Sequence, residues 1–206
     1  MKFPPPINVN VAIDAVVEED VVIGNGSKVW GSTQIRKGAR IGEHSVIGRG
    51  CYVDAGVVIG DFCKVQNNAL IYWPAQIADG VFIGPAVILT NDKYPRAINR
   101  DGHLKETSDW RPSGVVVGRG ASIGAGAVCI APLTIGEYAM VGAGSVVTSD
   151  VKPHAMVVGS PARHFAWVGH AGVALEADGS VLRCPETGRQ YRETEAGLLE
   201  TEGVDF

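Results

Sequence analysis

ARIGEHSVIGRGCYVDAGVVIGDFCKVQNNALIY, residues 39–72, repeats itself every six residues. Ile41, Ile47, Val53, Ile59, Val65 and Ile71 hold one register of it. Stepping by six in both directions extends this register from Val17 to Leu89, and every stop is Val, Ile or Leu. Two positions ahead of each stands a small or β-branched residue, such as Ser45, Cys51, Val57, Cys63 and Ala69. Glycine follows many of the stops, as at Gly24, Gly42, Gly48, Gly60 and Gly84. Period six fits neither a 3.6-residue helix nor a long strand of period two. It fits a short strand, a turn and another short strand. Three such sides close a coil of about eighteen residues, and coils stack at about 4.8 Å, the ordinary inter-strand spacing. The aliphatic ladder fills the prism, the small residue beside it suits the narrow interior, and glycine takes corner dihedrals that a β-carbon resists. The reading is an all-β parallel β-helix. Its hand does not follow from the period, because general rules favour right-handed crossovers.

Outward from this segment the register breaks after Leu89 and resumes as Val117, Ile123, Cys129, Ile135, Val141 and Val147. Three regions follow. Residues 1–10 are a proline-rich lead-in that caps the first open edge. Residues 11–152 form about six coils, four before and two after an excursion over residues 90–116. Residues 153–206 form a C-terminal extension containing a small β-hairpin, VALEADGSVLRCPETGRQYRE, and an acidic tail. The excursion is polar and returns to the same solenoid, as functional loops do. Net charge is −4, which gives no basic field for nucleic acid. No run approaches the roughly 18 apolar residues of a membrane span, and MKFPPPINVN lacks a signal peptide's apolar region. A soluble cytoplasmic protein with reduced thiols at Cys51, Cys63, Cys129 and Cys184 is the expectation.

Three motifs carry chemistry. Gln66-Asn67-Asn68 lies on the corner between Val65 and Ile71, where amides face outward. Thr90-Asn91-Asp92-Lys93-Tyr94-Pro95-Arg96 lies where the chain leaves the prism. Stacking by eighteen sets Thr90 above Tyr72, and this predicts that the asparagine turn and the excursion share one edge. The third motif is the run of small residues in IGAGA (123–127), VGAGSVVT (141–148) and VGSPAR (158–163), which would leave backbone amides open to a narrow ligand.

With these residues in view, the sequence resembles the hexapeptide-repeat acyltransferases, left-handed parallel β-helices that use acyl-CoA. VQNNALIY followed by GVFIGPAVILTNDKYPR is similar to the branch that N-acetylates amino groups on nucleotide-linked sugars, 3-amino sugars being favoured. The resemblance implies a homotrimer with acetyl-CoA between neighbouring prisms. It places Ala125, Ala143 and Thr148 along the pantetheine, and Pro161 and Arg163 near the adenine and phosphate end. Many members carry a histidine in a T-x-x-H-P loop, and here Tyr94 stands in its place. A sugar hydroxyl needs a base to become a nucleophile. An amine flanked by electron-withdrawing oxygens titrates near 8, about where an α-amino group does, so a useful fraction is already neutral. The missing histidine therefore argues for an amine acceptor, aimed by Asn67 or Asn68 with Tyr94, and bound by Gln66, Tyr72, Asn91 and Arg96.

The alternatives are an O-acetyltransferase with a hydroxyl acceptor, a non-enzymatic scaffold, and a carbonic-anhydrase-like zinc enzyme. The last needs three protein ligands, and Tyr72 occupies the position of that family's histidine; no metal is expected. His170 and Cys184 are too few for a structural zinc in the hairpin, which reads as a degenerate ribbon. The bland readings are an amide ladder for Gln66-Asn67-Asn68, surface positions for His154 and His164, and solvation or pyrophosphate contact for Arg96, Arg100 and Lys105.

Overall fold

A computed structural model describes residues 8–195 and 197–201; most of the lead-in assigned to residues 1–10 lies outside the described residues. From Asn10–Val11 to Ala155–Gly159 the chain lays short parallel strands on three faces in rotation. The first face begins with Asn10–Val11, the second with Val16–Val17 and the third with Val22–Ile23. They carry eight, seven and six parallel rungs. The expected count of about six coils is therefore slightly low: six complete coils end at Leu133–Ile135, and further rungs follow, with Ala155–Gly159 adding one past residue 152. The aliphatic ladder and the small register both point inward. Ile35, Ile47, Val53, Ile71 and Leu89 are shut off from solvent, as are Ala39, Cys63 and Ala69. Burying each large aliphatic side chain contributes roughly 2 kcal/mol. The polar members of the small register reach the next coil. Ser27, Thr33 and Ser45 donate to the carbonyls of Gly42, Gly48 and Gly60 at 2.7, 2.8 and 2.9 Å.

The excursion leaves after Ile88–Leu89 and ends at Val115–Val117, so the strand resumes two residues earlier than expected. Cys129 follows its partner Leu89 by 40 residues where Leu89 follows Ile71 by 18, so the excursion inserts 22. Within it, Ile98 bridges Leu104 in a short hairpin. The Asn99 Oδ1 accepts from the Asp101 and His103 N–H groups, both at 3.1 Å. Its stem is tied down where Ser113 N–H donates to Asn91 O and the Asn91 amide donates to Trp73 O, both at 3.0 Å.

The C-terminal extension is larger than one hairpin. Ala155–Gly159 turns back antiparallel to Ala162–Trp167. Then Glu176–Asp178, Val181–Arg183, Gln190–Thr194 and Gly197–Thr201 form a four-stranded antiparallel sheet over Cys184, Tyr191 and Leu198. Part of the acidic tail is thus a strand. A ring cluster docks this sheet on the coils. His154 is buried, not a surface residue as expected: its Nδ1–H donates to Val168 O at 3.0 Å and its ring stacks on Tyr138 with centres 5.3 Å apart. The His170 ring lies 5.0 Å from it, and its Nδ1 meets the Tyr191 hydroxyl at 2.9 Å and Glu200 at 3.5 Å.

Burial pushes the His154 pKa down, reinforced by the charge of His170 and opposed by the Val168 bond, Glu200 and Glu137. A histidine whose folded pKa is depressed contributes stability that is complete above the ordinary value near 6.5 and is lost as pH falls from there toward its folded value. Hydrogen exchange of residues 190–195 and 197–201 should accelerate as pH falls below about 6.5, beyond the intrinsic pH trend, and His154→Gln should remove the excess. Equal intrinsic-corrected protection at pH 8 and pH 5 would contradict this reading.

Candidate active site

The three prism edges differ in what they carry. On the edge between the first and second faces, successive coils place Arg49, Asn67, Pro85, Ala125 and Ala143 in one column. The next column is Gly50, Asn68, Ala86, Gly126 and Gly144, all with φ between 57° and 68°. This left-handed conformation suits glycine and asparagine best, which gives Asn68 a structural reason to be asparagine. Its exposed side-chain amide has no hydrogen-bond partner among the described residues. Asn67 differs, because its Oδ1 accepts the Arg49 N–H of the coil below at 2.9 Å. Asp61 and Asp79 cap Glu43 and Asp61 in the same manner on another edge, at 2.7 and 2.8 Å. The corner thus employs Asn67 as the amide ladder considered above.

That capping stops higher up. Pro85, Ala125 and Ala143 have no side-chain oxygen to offer the coil beneath, so the N–H groups of Asn67, Ala125 and Ala143 find no acceptor among the described residues. Coils also approach closely here: a Cβ on Gly124 would lie 2.5 Å from the Ala143 nitrogen. The result is a smooth edge of exposed alanines with donors one coil apart, running up from Asn68.

Tyr72 and Thr90 share a different edge, between the second and third faces, in one column with Ile130 and Thr148. The expected convergence of the asparagine turn with the excursion inside one chain is therefore corrected. Each six-residue step advances one face, so Asn67 stacks under Pro85 while Tyr72 stacks under Thr90, a full face away. Tyr72 packs against the Tyr52 ring at 5.3 Å, and the Thr90 hydroxyl accepts from Ala131 N–H at 3.0 Å. Asn91 spends its amide on Trp73, Tyr94 is 75% exposed, and Arg96 donates to Pro95 O at 3.0 Å. Gln66 is half-buried at the foot of the first corner.

At the C-terminal end a cavity of about 600 Å³ brings Thr148 together with Arg163, and with Lys152, His164, Trp167 and Glu193. Pro161, at the exposed tip of the turn before Ala162–Trp167, is not among its lining residues, and neither are Ala125 and Ala143. Sequence reasoning did not reach Trp167 or Glu193, because both belong to the non-periodic extension. Among the described residues no cluster of three potential metal ligands occurs, and no helix is long and apolar enough to cross a membrane.

Residues 38–72 match the bacterial transferase hexapeptide family (six repeats), and residues 114–149 match the hexapeptide repeat of succinyl-transferase. Both matched stretches lie within the stacked coils, so the repeat that builds the prism is similar to the hexapeptide repeat of these transferases. It is 28% identical to the bifunctional protein GlmU of Jannaschia sp. over 173 residues, 74% of this chain and 35% of GlmU. The chain thus spans about a third of the length of the GlmU relatives it matches. Over 77 residues, 37% of this chain and 40% of the relative, it is 44% identical to dTDP-3-amino-3,6-dideoxy-alpha-D-galactopyranose 3-N-acetyltransferase of Aneurinibacillus thermoaerophilus. The crystal structure of a mutant of AntD, an N-acyltransferase from Bacillus cereus in complex with dTDP and coenzyme A, shares the fold: TM-score 0.53, 19% identity, with 79% of this chain and 82% of that one covered.

Proposed function

We propose that this protein transfers an acetyl group from acetyl-CoA to the amino group of a nucleotide-linked amino sugar, with a 3-amino sugar favoured, in the cytoplasm. The observation that carries this reading is the edge of small residues, where unpaired N–H groups at Ala125 and Ala143 lead down to the free Asn68 amide. Such donors suit the amide carbonyls of a pantetheine arm, and the thioester then lies near Asn68. The 44% identity to a 3-amino-sugar N-acetyltransferase supports the acceptor class.

Catalysis here is positioning plus electrostatics. The neutral amine attacks the thioester carbonyl, with the Asn68 Oδ1 accepting one of its N–H bonds to aim the lone pair. The unpaired Asn67 N–H can donate to the oxyanion of the tetrahedral intermediate. Collapse expels the thiolate of coenzyme A, which takes up the amine's proton. Asn67 contributes through its main chain, since its side chain holds the corner.

The reading also requires a second copy. Asn68, Ala125 and Ala143 lie on one side of the second face, and Asn91, Tyr94 and Thr148 on the other; Arg163, on the strand that extends the first face, shares the terminal cavity with Thr148. That face is apolar outward from its third rung up, with Tyr52, Leu70, Ile88, Val128 and Val146 all half-buried. The other faces show Lys28, Lys64, Arg40 and Gln76 to solvent. Packing the apolar face around a threefold axis gives a homotrimer that brings one copy's small-residue edge against its neighbour's excursion.

The test is an acceptor screen by mass spectrometry. Nucleotide-linked amino sugars should gain one acetyl group in the presence of acetyl-CoA, and Asn68→Gly, which removes the amide but suits the left-handed corner, should lower kcat by about 10²-fold with little change in melting temperature. Acetylation of simple hydroxyl acceptors alone would replace this reading with O-acetyl transfer.

A further inference from the structure

The excursion runs against the charge of the chain. It holds five cations (Lys93, Arg96, Arg100, Lys105, Arg111) and four anions (Asp92, Asp101, Glu106, Asp109), in a protein of net charge −4. Three of the anions are turned to the loop's own backbone. The Asp92 Oδ1 accepts from Tyr94 N–H at 2.8 Å, and the Asp109 Oδ2 accepts from Glu106 N–H at 2.9 Å. The Glu106 carboxylate returns the bond to Asp109 N–H, closing a capping box. None of the five cations joins an ion pair among the described residues. Two adjoining cavities, of about 780 and 390 Å³, share Tyr94, Lys105 and Asp109. Arg96 and Arg100 line the larger, and Lys93 and Arg111 the smaller.

Cations left unpaired around a cavity while neighbouring carboxylates serve the backbone make a site for a polyanion. Guanidinium groups match phosphate oxygens in fork geometry, and an exposed aromatic ring offers a stacking surface. We propose that the excursion is a nucleoside-diphosphate subsite, with Arg96, Arg100 and Lys105 on the diphosphate and Tyr94 against the base. This rests on the acetyltransferase reading only for what the nucleotide carries, an amino sugar directed at the neighbouring edge. Coenzyme A also contains a diphosphate, so the experiment must separate the two sources.

Titration calorimetry of the full chain with dTDP, thymidine and coenzyme A does so. Arg100→Ala/Lys105→Ala should weaken dTDP binding at least about tenfold and leave coenzyme A binding within about twofold of the parent. Both side chains project from an exposed loop, so the melting temperature should not move, and Arg100→Lys/Lys105→Arg should keep most of the dTDP affinity. The proposal is overturned if the parent binds no dTDP, if thymidine binds as tightly as dTDP, or if the double variant binds dTDP like the parent. A parallel loss of coenzyme A binding also overturns it and assigns the cations to the cofactor. Failure of the acetyltransferase reading looks different: dTDP binds and depends on these residues, yet no nucleotide-linked amino sugar is acetylated.

Discussion

A chain lacking residues 92–113 should fold as well as the parent and transfer acetyl groups at least about 10³-fold more slowly. The deleted stretch is the 22-residue insertion that separates Leu89 from its rung partner Cys129 by 40 residues where Ile71 and Leu89 on the coil below are 18 apart. Joining Asn91 to Gly114 leaves Leu89-Thr90-Asn91-Gly114-Val115-Val116-Val117, one six-residue step with a glycine available for the corner. The ladder above and below keeps its register, because Ile77 already pairs with Val117 across the excursion. A shorter connection also lowers the loop-closure cost, by about 0.6 kcal/mol per halving of length, so the melting temperature should hold or rise. The rate should collapse because Tyr94 and Arg96 go with the deletion. An active deletion variant would remove the excursion from the site, and an unfolded one would show that it braces the stack.

Ala143→Trp should weaken coenzyme A binding about 100-fold or more while the stack stays intact. Ala143 faces outward on the small-residue edge, so a large side chain there displaces no core residue. It would cover the unpaired N–H groups of Ala125 and Ala143 and fill the path that a pantetheine arm needs. Ala143→Ser, which keeps the edge narrow, should bind like the parent. Calorimetry reads the affinity and thermal unfolding reads the stack; a tryptophan variant with parental affinity would move the cofactor off this edge.

The core was legible in the sequence because each interior contact recurs at a fixed step. Ile35, Ile47, Val53 and Leu89 sit inside, and Cys51, Cys63 and Ala69 sit beside them, where the period puts them. The same period located the excursion and set Thr90 over Tyr72. It also misled, because a step of six moves the chain to a new face, and Asn67 and Tyr72 therefore belong to different edges. The double duty of Asn67 was hidden for another reason: a side-chain oxygen on a neighbour's N–H is a three-dimensional fact, and the bare QNN motif is compatible with catalysis or capping. The C-terminal sheet and the buried His154 depend on non-periodic contacts, such as Lys152 Nζ donating to Glu195 O at 2.7 Å, which no repeat encodes.

The account stands on one claim, that each site joins the small-residue edge of one copy to the excursion of another. Mixing tests it. The variant lacking residues 92–113 keeps an intact edge, and Ala143→Trp keeps an intact excursion; each alone is inactive on this account. Refolded together in equal amounts, about a quarter of their interfaces pair an intact edge with an intact excursion. Acetyl transfer should then recover to about a quarter of the parental rate per interface. If both elements of a site come from the same chain, the mixture stays as inactive as its components, and that result would contradict the shared site.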